Sequence, residues 1–183
     1  NYLKDIKIRT QLINLNKNNI DRAVQLTEKT NQFNFTNKKY THNEIKKMSN
    51  KGNVFLINLK DIYGDHGLIS LTILKENNKF LIVDTFLLSC RILGRYIENY
   101  LINEIKKIST KRNLKGTIIK FIKTEKNTPG LNFINSLKNV KKIKKKEYNK
   151  IFKNEIYKKN YKDSFYLLKN NAIIELSNLY EKN

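Results

Sequence analysis

The chain has little of what cross-links a protein. Its one cysteine, Cys90, excludes an internal disulfide and any zinc site built on several cysteines. Two histidines and scattered carboxylates show no metal-ligand spacing, so no metal is expected. The longest uncharged apolar runs are about ten residues, roughly half a membrane span, so no membrane association is expected. The first residues, Asn1-Tyr-Leu-Lys-Asp-Ile-Lys, alternate charged and apolar side chains unlike a signal peptide, and a cytoplasmic domain is the expectation. A start at Asn rather than Met suggests a piece of a longer protein. Acidic residues are few: 16 against 37 Lys+Arg in 183 residues, a formal charge of +21.

That charge invites a nucleic-acid reading, but arginine is scarce, at 5 against 32 lysines. Arginine is the residue suited to bidentate phosphate and base recognition. Lys, Asn and Ile supply 84 of the 183 residues and share A/T-rich codons, so much of the lysine reflects coding background. With 39% hydrophobic and 10% aromatic residues, the chain can build a core and is no disordered basic tail.

Residues 19–33 carry helical periodicity through Ile20, Ala23, Val24 and Leu26, with Asn19 placed to cap. Ile6, Ile8 and Leu12 before them read as an entering strand. Asn34-Phe-Thr-Asn-Lys-Lys-Tyr40 reads as a polar, aromatic loop, and Thr41…Glu44 has capping-box spacing for a short helix ending near Gly52. Three strands follow at 53–59, 68–74 and 80–88, joined by turns at 61–67 and Asn77-Asn78, an antiparallel meander. A long helix runs from Gly94 to Asn113, a strand covers 116–122, and Pro129 opens a helix to Leu137. Residues 138–162 hold eleven lysines against two glutamates with aromatics interleaved (Tyr148, Phe152, Tyr157, Tyr161). A last strand (164–168) and a terminal helix (172–179) complete an α/β domain with a mostly antiparallel sheet and helices on both faces. One domain spans 1–183, with its core at about 6–137 and a basic extension at 138–183.

That order is the layout of the GNAT acyltransferase fold. Between the third meander strand and the long helix the sequence reads Phe86-Leu-Leu-Ser-Cys-Arg-Ile-Leu-Gly-Arg-Tyr96. Arg91 and Gly94 match the acyl-CoA loop of that fold, in which backbone N–H groups and a helix N-terminus hold pyrophosphate. Three longer stretches are more specific: Lys29-Thr-Asn-Gln-Phe-Asn-Phe-Thr36, Tyr63-Gly-Asp-His-Gly-Leu-Ile69 and Asp84-Thr-Phe-Leu-Leu-Ser-Cys-Arg-Ile-Leu-Gly-Arg95. With Lys126-Asn-Thr-Pro129 and Phe133, they resemble the C-terminal half of FkbH-like proteins (HAD subfamily IIIC) from about Tyr2 to Leu137.

The resemblance implies a GNAT-like domain that binds an acyl thioester, on CoA or on the phosphopantetheine of an acyl carrier protein. It also implies a covalently linked HAD domain, absent from these residues, which loads a glyceryl unit in polyketide-like or surface-glycan biosynthesis. Leu88, Ser89, Arg91, Gly94 and Arg95, with the neighbouring Cys90, would hold the thioester and pyrophosphate, and Asn127 would add a polar contact. Asn31, Gln32, Asn34 and Tyr40 would meet the acceptor. Asp84, in an apolar strand where burial raises a carboxyl pKa, and Asp65, beside His66 in the hairpin turn, are the candidate bases. Cys90 itself reads as a small buried side chain.

Two positions depart from the pattern. Tyr96 stands where a small residue would let backbone approach phosphate, and Ile134 stands where many GNAT enzymes carry a proton-donating tyrosine. The sequence therefore leaves three functions open: acyl transfer, a catalytically silent module docking a carrier protein beside the HAD domain, and nucleic-acid binding through 138–162. The last is the weakest.

Overall fold

A computed structural model describes residues 5–49, 53–77, 79–152, 163–172 and 174. Period-two apolar runs form β1 (Arg9–Asn14), β2 (Val54–Asp61), β3 (Gly64–Asn77) and β4 (Phe80–Leu88), each antiparallel to the next. The long helix α3 (Ile97–Lys111) then crosses over, so β5 (Gly116–Ile122) pairs parallel to β4. Strands β6 (Val140–Lys142) and β7 (Asp163–Leu168) complete a seven-stranded sheet of order β1-β2-β3-β4-β5-β7-β6. Helices α1 (Ile20–Lys29), α2 (His42–Ser49), α4 (Thr128–Ser136) and α5 (Lys145–Ile151) supply the remaining layers.

Both faces of the central strands are covered, which is why β4 reads as an almost unbroken apolar run. On one face Ile97, Leu101, Ile105 and Ile134 of α3 and α4 pack on Leu81, Val83, Phe86 and Leu88. On the other, Ala23, Leu26 and Ile45 of α1 and α2 cover Leu56, Leu71, Ile73 and Leu87. Tyr148 and Phe152, at α5 and its end, cover Ile82, Ile118 and Phe165.

The residues beyond Leu137 are therefore no appendage. Strand β7 pairs with β5 over six positions and lies between β5 and β6 in the sheet. Tyr148 and Phe152 stack at 4.5 Å in the interior, so neither can serve as a platform for nucleic-acid bases. Tyr157, Tyr161 and most of the expected terminal helix lie outside the described residues.

Local signals hold in part. Thr41 and Glu44 form the expected capping box: the Thr41 N–H donates to Glu44 Oε2 at 2.8 Å, and the Glu44 N–H to Thr41 Oγ1 at 3.3 Å. Asn19 does not cap α1; its Oδ1 accepts the Asn16 N–H and its amide donates to Asn14 O, closing the preceding turn.

The larger surprise follows α1, which stops at Lys29 rather than Phe33. Strands β4 and β5 pair only from Phe80↔Gly116 to Val83↔Ile119, then separate. A bulge in β4 at Asp84, where Ile73 faces Thr85 while Leu74 faces Val83, marks the point of separation. The wedge beyond it is filled by residues 33–36, running antiparallel to β4 through an Asn34↔Leu87 bridge. Phe35 N donates to Phe86 O (3.0 Å), Leu88 N to Phe33 O (3.0 Å) and Ile122 N to Phe35 O (2.8 Å). These bonds satisfy strand edges that would otherwise be buried unpaired.

The supposed polar loop is thus an internal strap. Phe33 and Phe35 enter an aromatic group with Phe86, Phe121 and Phe133, and Phe35 stacks on Phe86 at 4.5 Å. Helix α4 approaches the strap closely because Gly130 has no Cβ, which would stand 3.3 Å from the Phe35 ring. Two buried Phe side chains at about 1.5–3 kcal/mol each and three backbone bonds at about 0.5–1.5 kcal/mol each hold the strap by roughly 5–10 kcal/mol. Truncating Phe35 to alanine should therefore cost about 3–5 kcal/mol, read as a shift in urea midpoint at unchanged slope.

Candidate functional site

The segment expected to carry a thioester runs from the end of β4 to the start of α3. Its backbone is already engaged. Leu88 N–H, which would polarise a thioester carbonyl, donates to Phe33 O, and Ser89 N–H donates to Ile69 O at 2.8 Å. Cys90–Ile92 form one 3-10 turn, and Gly94 has a left-handed φ of 79°. Cys90 is exposed rather than buried. Arg91 is exposed too, with its Nε 3.4 Å from Ser89 Oγ.

Arg95 does not point to an anion site. Its Nη1 donates to Asp61 Oδ2 at 2.7 Å, and His66 Nε2 lies 2.8 Å from the same oxygen. Asp61 has no exposed side-chain surface. Burial acts to raise its carboxyl pKa, but the Tyr63 N–H, His66 and Arg95 together hold it below the usual carboxylate range. His66 and Arg95, both expected at a reaction centre, instead fasten the β2–β3 hairpin to the loop before α3.

The N-terminus of α3 offers the positive dipole end that a pyrophosphate would use. It faces a cavity of about 360 Å³ lined by Gly94, Tyr96, Glu98, Phe133, Leu137 and Lys138, among others. Here the protein places a carboxyl group of its own, that of Glu98. The backbone N–H groups of Gly94, Ile97 and Glu98 favour its charged form, but burial is the larger influence and lifts its pKa above the usual range, and Glu98 Oε2 is buried with no hydrogen-bond partner. A phosphate in this cavity would meet that carboxyl group.

Asn127, the expected polar contact to the arm of a thioester, is fully buried and spent internally. Its Nδ2 donates to Asn34 O (3.0 Å) and Ile122 O (2.9 Å), and its Oδ1 accepts the Thr124 N–H (2.8 Å). Asn34 is equally closed: its side chain donates to Thr30 O and accepts the N–H groups of Thr36 and Asn37. Both asparagines are rivets of the strap, not acceptor contacts. A thioester laid along β4 would have to displace residues 33–36 from the backbone groups they engage.

Asp84 is a real charged centre, of a kind the sequence did not suggest. Its Oδ1 lies 2.6 Å from Lys38 Nζ and its Oδ2 3.1 Å from Lys75 Nζ. Tyr40 OH lies 2.6 Å from Thr85 Oγ1 and 3.5 Å from Asp84 Oδ2. Burial alone would raise the Asp84 pKa, but the hydrogen bonds and charges of the two lysines bring it below the usual value. A carboxylate held ionised by two ammonium groups is a weak base, which corrects the expected role. Burial raises the Tyr40 phenol pKa further above its ordinary value.

Asp65 belongs elsewhere. It accepts the Gly67 N–H at 2.8 Å and pairs with Lys60 at 3.1 Å, which is turn chemistry. The backbone N–H of Gly67 and Lys60 also hold its pKa below the usual value. Along β3 it is roughly 25–30 Å from the residues opposite Asp84, so the two carboxylates cannot serve one reaction.

Asn31 and Gln32 do meet the β4 end: with Cys90, Glu125, Lys126 and Pro129 they line an open cleft of about 700 Å³. Asn31 Oδ1 accepts from Lys39 Nζ there. Sequence reasoning missed Glu98, Lys38 and Lys75. A glutamate in the first turn of α3 was a legible signal; the lysines, two among 32, carried none.

Asp84→Asn should lower stability by about 1–3 kcal/mol at neutral pH, discounted because both lysine ends reach solvent. The folded pKa is depressed, so the contribution is present above the unfolded value of about 4 and lost as pH falls through the folded one. Urea unfolding of both proteins from pH 7 to pH 3 should show the difference vanish only at the acid end.

No protein-family model matches the chain, and neither does any curated protein. Solved structures do. Rv2747 from Mycobacterium tuberculosis, solved in complex with CoA, is 9% identical and superposes with a TM-score of 0.62, over 87% of this chain and 98% of its own. An acetyltransferase of the GNAT family from Staphylococcus aureus gives a TM-score of 0.62 at 13% identity, with the same coverage. PaiA N-acetyltransferase from Thermoplasma acidophilum, in complex with coenzyme A, gives 0.57 at 12% identity, over 87% and 98% of the two chains. The chain has the GNAT-like fold, a seven-stranded, mostly antiparallel sheet between helical layers.

Proposed function

We propose that this domain is a catalytically silent GNAT-fold module that docks an acidic, phosphopantetheine-bearing acyl carrier protein. In the FkbH-like arrangement that its motifs resemble, it would hold the carrier for an adjacent HAD-type domain that performs the chemistry. One observation carries the reading: residues 33–36 take the β4 and β5 backbone groups along which a thioester would lie. Displacing them costs roughly 5–10 kcal/mol, comparable with the ~8 kcal/mol that a micromolar ligand gains in total.

Three further features agree. Glu98 brings a carboxyl group into the cavity at the N-terminus of α3. Ile134 is fully buried and has no proton to give a thiolate. Lys138, Lys141, Lys142, Lys144, Lys146 and Lys150 present exposed side chains, and Glu147 among them is bound to Lys141 at 2.7 Å. Exposed lysines at this density attract an anionic protein and accelerate its encounter.

Acyl transfer keeps a footing in the open cleft of Asn31, Gln32 and Cys90, and in the CoA bound by two proteins of the same fold. Calorimetry separates the readings. Acetyl-CoA should show no binding tighter than ~1 mM, while a holo-carrier protein should bind with an affinity that falls steeply with salt. Micromolar acetyl-CoA binding with release of free CoA thiol would overturn the silent module.

A further inference from the structure

Among the described residues, three large hydrophobic side chains are well exposed: Ile62 (55%), Tyr63 (68%) and Tyr96 (43%). They come from two segments some thirty residues apart in sequence, and one carboxylate joins those segments. Asp61 Oδ1 accepts the Tyr63 N–H at 2.8 Å, and Asp61 Oδ2 accepts from Arg95, the neighbour of Tyr96. A buried ion pair of this kind is weak evidence for stability, but it fixes geometry.

Tyr96 shows a second oddity. Its φ of 60° and ψ of 16° lie in the left-handed region, at the first boundary of α3, with no side-chain cap hydrogen bond in return. Glycine takes this conformation freely and a tyrosine does not, so the ring is held outward at a local cost. Beside it lies the α3 cavity, lined by Phe133, Leu137 and Ile174 together with the polar Glu98, Ser136 and Lys138. Exposed aromatics beside a partly apolar recess are the anatomy of an interface anchor.

We infer that Ile62, Tyr63 and Tyr96 form the anchor of a protein-docking surface whose occupant is an acidic protein that seats an apolar side chain beside them. This rests on the docking function proposed above and deepens it by naming the contact. Charge chooses the occupant. A second copy of this chain would bring +21 against +21, whereas an acidic partner is drawn by Lys138 and the lysines that follow it. The two regions divide the work: the lysines govern arrival, and the aromatic anchor, covered once the partner is seated, governs departure.

The test uses the whole chain and an acidic holo-acyl carrier protein, with association and dissociation rates measured separately. The variant Tyr63→Ser/Tyr96→Gly removes both rings, and glycine at 96 relieves the backbone, so folding is preserved; the melting temperature confirms it. Dissociation should quicken by at least about tenfold with association nearly unchanged. Lys142→Gln/Lys146→Gln should instead slow association, and Lys47→Gln on α2 should change neither rate. Unchanged dissociation in the tyrosine variant, with wild-type binding intact, overturns this anchor alone. No binding of the carrier protein to wild type overturns the docking function and the anchor together. Tighter binding of an oligonucleotide than of the carrier, or a wild-type dimer abolished by the tyrosine variant, overturns the acidic-protein occupant.

Discussion

The molecule depends on how the wedge between β4 and β5 is closed. Parallel pairing stops at Val83 and Ile119, and the bulge at Asp84 turns β4 away. Two strand edges in the middle of the sheet would then be bare, deep in the protein. Residues 33–36 restore the hydrogen bonds, and Phe33 and Phe35 fill the space beneath. Everything near the candidate site follows from that choice: Leu88 N–H is spent, Asn34 and Asn127 become rivets, and α4 needs a glycine at 130 to come close.

The same economy of groups governs the charges. Asp61 and Asp84 both reach protein interior, and each is answered by nearby cations, Arg95 and His66 or Lys38 and Lys75, whereas Glu98 keeps one buried carboxyl oxygen without a partner. In a chain with 37 basic residues and 16 acidic ones, a buried carboxylate has cations at hand. Their effect is to fix positions rather than to poise groups for proton transfer, since Asp61 and Asp84 are both held ionised.

Much of the fold was legible in the sequence. The limits 80–88 and 116–122 coincide with β4 and β5, and the Thr41–Glu44 box and Pro129 marked real helix starts. These are local signals, carried by period and by capping. The strap was not legible, because Gln-Phe-Asn-Phe-Thr is short and largely polar, and its partners lie some 50 and 90 residues further on. The candidate site failed for the same reason. Asn34, Arg95 and Asn127 were identified by type and place, while their roles are set by whom they bond, and that is a long-range fact. Strand β6 and helix α5 hid among lysines, where Tyr148 and Phe152 looked like surface aromatics and proved to be core.

The strap also bears on how the chain reaches this structure. Residues 33–36 cannot settle until β4 stands on one side and β5 with Asn127 on the other, so an early segment must wait for a late one. Contacts this distant in sequence slow folding, because the intervening chain has to be ordered before they repay the loss of freedom. On a ribosome, the meander can assemble while the seam beside it stays open, and the seam closes only once the chain beyond residue 127 has emerged. The sheet is sutured from its own N-terminal third, and so it cannot be divided into two halves that fold alone.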